Sequence, residues 1–93
     1  MVHVVAYDLT SPNDTGADYE RVIGAIKKQY PTWVHLEQSV WLVETTQDAG
    51  EVRETLKPFL NAKDVLFVSR LSGNWATWNA GVERNNWLRA RTF

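Results

Sequence analysis

Aspartate 8 is the residue of this 93-residue chain best placed for chemistry. It closes the apolar run Val4-Val5-Ala6-Tyr7, and the turn-prone stretch 9–16 follows it. A carboxylate at the end of a strand can hold a hard cation. Magnesium keeps several waters, so one or two protein carboxylates suffice. The bound ion would then neutralise a phosphate and activate a water, the chemistry of a nuclease. One such aspartate per chain works best when two copies meet across an axis. The structural alternative is that Asp8 ends the strand as an ordinary turn residue.

Other candidates are weaker. Asp14 and Asp18 have the spacing and position of helix-capping and dipole-pairing residues. Asp64 opens a strand as a turn residue. His3 and His35 lie in strand-like segments, where a packed or half-exposed imidazole is the ordinary outcome, and no zinc-like spacing surrounds them. Ser39 lacks the glycine-flanked setting of a nucleophile. Neither a G-x-G-x-x-G run nor a phosphate-cradling G-x-x-x-x-G-K loop occurs.

A second constellation lies in the C-terminal tail. Trp75, Trp78 and Trp87 are interleaved with Arg84, Arg89 and Arg91. Bases stack on aromatic rings while guanidinium groups meet phosphates. The same tryptophans would equally bury apolar surface at a tail or subunit interface. The acidic body favours the second use. Residues 1–69 carry 6 basic and 10 acidic side chains, whereas residues 70–93 carry four arginines against Glu83 alone. The formal net charge of −1 is far from that of a typical nucleic-acid binder.

These residues need a scaffold, and the length allows one small domain. An apolar content of 44% indicates a globule in place of a disordered chain. With no cysteine, disulfides and thiolate metal sites are excluded, which suits a cytoplasmic location. No signal-peptide pattern is visible, and no apolar run approaches the roughly 20 residues of a membrane helix.

The periodicity predicts a strand over 2–9 and a helix over 17–30 with a stripe of Tyr19, Val22, Ile23, Ile26 and Tyr30. Thr15 and Asp18 have capping-box spacing, and Pro31 stops the helix. Two strands follow over 32–46, with a break near 37–39. A second helix begins after Asp48 as N-cap, with a stripe of Ala49, Val52, Leu56, Phe59 and Leu60; Pro58 kinks or ends it. A last strand covers 64–71, and the tail leaves room for a short helix. The order β-α-β-β-α-β plus a tail predicts an α+β, ferredoxin-like sandwich. Residues 1–72 form its core and 73–93 a Trp/Arg-rich tail of the same domain.

The strands "VVAY", "VWLV" and "VLFV" are apolar on both faces, yet helices cover only one face of such a sheet. A second copy of the chain is the favoured cover for the other face, with the tail helping.

The stretches "VVAYDL" and "EQSVWLV", in this element order, resemble the small CRISPR-associated spacer-acquisition protein (Cas-two) and its relative, the VapD toxin endoribonuclease. The resemblance spans roughly residues 2–71. It rests on Tyr7-Asp8 and on Ser39-Val40-Trp41, with Glu37 where glutamine is frequent. It implies a ferredoxin-like homodimer in which Asp8 of each copy faces the dimer groove and shares Mg²⁺ or Mn²⁺, with no organic cofactor. Some members cleave RNA or DNA; others bridge integrase dimers without cleavage. The stretch after the first strand, often basic in the family, is acidic here apart from Arg21.

Three functions follow as expectations. The first is a non-catalytic homodimeric adaptor for nucleic acid or an integrase-like protein, using Arg84, Arg89, Arg91, Trp75, Trp78 and Trp87. The second is a metal-dependent endonuclease with Asp8 as catalytic ligand. The third is a small-molecule-binding module, because this fold hosts many activities. The thin catalytic constellation favours the adaptor.

Overall fold

The computed structural model describes residues 1–10 and 17–93. Its elements run β1 (Val2–Asp8), α1 (Ala17–Gln29), β2 (Thr32–Glu37), β3 (Val40–Glu44), α2 (Ala49–Leu56), β4 (Val65–Arg70) and α3 (Val82–Arg89). A 3₁₀ turn over Lys57–Phe59 follows α2, so Pro58 sits just past the α-helix and not within it. The expected capping pair at Thr15 and the candidate Asp14 lie outside the described residues.

The four strands form one antiparallel sheet in the order β2-β3-β1-β4. The chain is therefore a small α+β domain, and α1 and α2 cover one face of its sheet. That face carries Val5, Tyr7, Trp41 and Val43, packed against Val22, Ala25 and Ile26 of α1 and Val52 and Leu56 of α2. The alternation along β1 and β3 supplies those inward residues. Tyr30, one residue past α1, is 2% exposed, so the predicted stripe continues beyond the helix end.

The β2–β3 hairpin breaks at Gln38-Ser39, within the expected stretch. Its register shifts between His35 and Glu37, a bulge that bends the open side of β2. Asp48 caps α2 through a reciprocal capping box with Glu51. The Glu51 N–H donates to Asp48 Oδ1 at 2.8 Å, and the Asp48 N–H donates to Glu51 Oε1 at 3.1 Å.

The second face of the sheet carries Val2, Val4, Leu42, Val34 and Leu36. Leu88, Trp75, Trp87 and Phe93 of the tail pack on them within the same chain. The tail thus supplies cover for the β2, β3 and β1 part of this face. Toward β4 the cover ends: Val65 is 56% and Phe67 60% exposed. Among the described residues no helix is long and apolar enough to cross a membrane.

Candidate functional site

Asp8 is the last residue of β1, opposite Val65 of β4. Strand alternation puts it on the second face with Val2, Val4 and Ala6, and its side chain is exposed. Among the described residues no three or more His, Asp or Glu side chains converge where an ion could be held. Asp8, Ala6, Val65 and Phe67 together form the uncovered corner of the second face.

The histidines have separate roles. His3 is fully buried, and its Nε2 lies 2.8 Å from the Gln47 carbonyl oxygen. His35 stacks on Trp41 with ring centroids 3.9 Å apart and planes within 9°. Its Nε2 lies 3.1 Å from the Gln38 carbonyl oxygen. Strand β3 separates them, so the sheet does not bring the two imidazoles together. Asp18 accepts from Arg21 Nη2 at 2.9 Å, while Arg21 Nε donates to the Phe59 carbonyl at 3.0 Å. That pair ties α1 to the end of the second helical segment. Asp64 accepts the backbone N–H of Asn61 at 2.8 Å and of Thr10 at 3.1 Å, a turn residue that also clamps the chain after β1.

The tail residues divide into two groups. Trp75 and Trp87 pack on the second face, and Arg91 stacks over Trp87 with its guanidinium carbon 4.5 Å from the ring centroid. Arg84 donates from Nε to the His35 carbonyl at 2.9 Å and from Nη1 to the Ala80 carbonyl at 3.0 Å. Its guanidinium pins the loop before α3 to the outer side of β2. Trp78 and Arg89 form the other group. Trp78 is 88% exposed, and Arg89 is exposed at the end of α3.

Two grooves flank Arg84. One, of about 580 Å³, lies between β2 and the start of α3, with Trp33, His35, Val82 and Trp87 on its walls. The other, of about 370 Å³, is lined by Leu36, Thr77, Trp78 and Asn79. Gly81 makes the bend between them possible, since its φ of 89° lies where side-chain-bearing residues are strained. Val82, 74% exposed, stands at the rim. The sequence pointed to the tail arginines and tryptophans, but Val82 carried no chemical signal and was missed.

The core places two phenols in unusual settings. Tyr7 accepts the indole N–H of Trp41 at 3.1 Å, and burial raises its pKa above the ordinary 10.0 against the opposing effect of that hydrogen bond. Tyr30 donates to Gln47 Oε1 at 3.0 Å and is likewise raised by burial. Both phenols are neutral structural groups at ordinary pH. No protein-family model and no solved structure matches the chain.

Proposed function

We propose that this chain is a ferredoxin-like, homodimeric adaptor akin to the Cas-two and VapD proteins. It acts by binding a protein partner through its tail, without cleaving a bond. The observation that carries this reading is Trp78, which stands 88% exposed on the wall of a groove while Trp41 is fully buried. A large aromatic ring left in solvent, with Val82 exposed on the neighbouring groove, matches the anchor residues of protein interfaces. Two of the three tail guanidinium groups that nucleic acid would need are already engaged, Arg84 with backbone carbonyls and Arg91 with Trp87. This favours a protein partner, with an integrase-like protein as the one the resemblance suggests.

The second reading is the divalent-metal endonuclease. What favours it is the exposure of Asp8 on the uncovered corner, where a second copy would bring a matching carboxylate.

One experiment separates them. Wild type, Trp78→Ala and Asp8→Asn are tested for capture of an integrase-like partner. They are also tested for cleavage of end-labelled RNA and DNA with Mg²⁺ or Mn²⁺. An adaptor loses capture in Trp78→Ala and keeps it in Asp8→Asn. Metal-dependent cleavage that Asp8→Asn abolishes transfers the function to the second reading.

A further inference from the structure

The two outer strands of the sheet are treated differently. An unpaired strand edge is a template for another chain, and proteins guard such edges with bulges, prolines, charges or a covering segment. The β2 edge has three of these guards. Pro31 precedes it, its register shifts between His35 and Glu37, and Arg84 Nε occupies the outward His35 carbonyl. The β4 edge has no proline, no register shift and no side chain bonded to its outward carbonyls among the described residues. Its register against β1 runs unbroken from Arg70 to Val65, and the strand holds a single charge, Arg70, at its last residue.

The hydrogen-bonding direction along β4 is fixed by its neighbour. The Leu71 N–H donates to the Val2 carbonyl at 2.8 Å, so Leu71 points its backbone groups at β1. By strand alternation Ser69, Phe67 and Val65 do the same. Leu66, Val68 and Arg70 therefore point their backbone groups to the open edge. The side chains alternate too: Leu66 and Val68 join the helix-side core, while Val65 and Phe67 stand exposed on the second face.

We infer that β4 pairs antiparallel with β4 of a second copy of this chain, about a two-fold axis through Phe67. This rests on the homodimer reading above and names its interface. The result is one continuous sheet with twice the four strands of a single chain. In this register Leu66 and Val68 exchange hydrogen bonds across the axis, and every pairing joins outward groups to outward groups. Phe67 meets Phe67 of the other copy at a non-hydrogen-bonded position, where side chains approach closest.

Charge selects the same register. Asp64 comes opposite Arg70 of the second copy, twice by symmetry. Asp64 is already held at the strand start by the Asn61 and Thr10 N–H groups. Arg70 is exposed and enters none of the ion pairs among the described residues. Beside the edge, a groove of about 230 Å³ lined by Ala49, Gly50, Arg53, Leu66, Phe67 and Val68 leaves room for the incoming strand's Leu66 and Val68. Arg53 on that wall pairs with Glu54 at 2.9 Å.

The absence of cysteine makes the test clean. Wild type, Phe67→Cys, Val65→Cys and Arg70→Glu are compared by sedimentation, and the cysteine variants are exposed to a mild oxidant. Phe67→Cys is expected to form a disulfide-linked dimer, because the facing Cα atoms lie within the roughly 4.4–6.8 Å that a disulfide spans. Val65→Cys is expected not to, because its two copies are offset by more than about 13 Å along the strands. Arg70→Glu faces Asp64 with a like charge and is expected to raise the dimer dissociation constant roughly tenfold. A dimer in which Phe67→Cys stays unlinked overturns the edge pairing alone. A chain that remains monomeric at every concentration overturns the pairing and the homodimer reading together.

Discussion

The indole N–H of Trp41 donates to the Tyr7 hydroxyl at 3.1 Å, joining two adjacent antiparallel strands inside the helix-covered core. Trp41 is fully buried and Tyr7 is 5% exposed, so water cannot replace either partner. Tyr7→Phe keeps the ring and removes the acceptor, leaving a buried donor unpaired. The expected loss is about 1–3 kcal/mol in urea unfolding at neutral pH.

The same phenol sets an alkaline limit. Burial raises the Tyr7 and Tyr30 pKa values above the ordinary 10.0. The unfolded chain then loses these protons at lower pH than the folded one. Their contribution is fully present below pH 10 and falls as pH rises toward the folded values. Urea midpoints measured from pH 8 to 11.5 should decline above about pH 10. The Tyr7→Phe, Tyr30→Phe double variant should show a shallower decline relative to its own value at neutral pH.

Arg84 is a clasp between the tail and β2. Arg84→Ala removes two charge-assisted bonds to carbonyl groups and should cost about 1.5–3 kcal/mol. Arg84→Lys should recover only part of this, because an ammonium cannot reproduce the guanidinium fork. Hydrogen exchange is the discriminating measurement: amides of α3 and β2 should speed up while those of β1 and β3 remain slow.

Asp48→Ala opens the capping box of α2. The expected cost is about 1 kcal/mol, with Asp48→Asn close to wild type. A thermal midpoint that Asp48→Ala leaves unchanged would show that packing of Val52 and Leu56 holds the helix start without its cap.

Much of this architecture is legible in the sequence because it is local. Short β-branched apolar runs bounded by turn residues mark the strands, and the 3.6-residue stripes through Val22, Ile26, Val52 and Leu56 mark the helices. Asp48 was legible as a cap, and Glu51 three residues on completes the box. The surplus of apolar strand faces was legible as well, as a demand for cover. The tail was legible as a helper in that cover, but its reach was not, since the fit of Leu88 to Val2 and Leu42 depends on how the tail folds back across the sheet. Arg84 shows the same boundary. Its type suggested phosphate, yet its strongest partner is a carbonyl 49 positions away. Asp8 was legible as a strand end, while its exposure at the uncovered corner depends on where the tail stops.

The polar character of α3, with Leu88 as its one buried residue, has a bearing on how damage to this molecule would look. A helix held only by Leu88, Trp87 and the Arg84 clasp can lift away while the sheet and its two covering helices persist. Val2, Val4 and Leu42 would then face water in a molecule of nearly normal secondary structure. Lesions in α3 would thus pass a circular-dichroism check and emerge as stickiness, with copies adhering through a face the intact chain keeps dry.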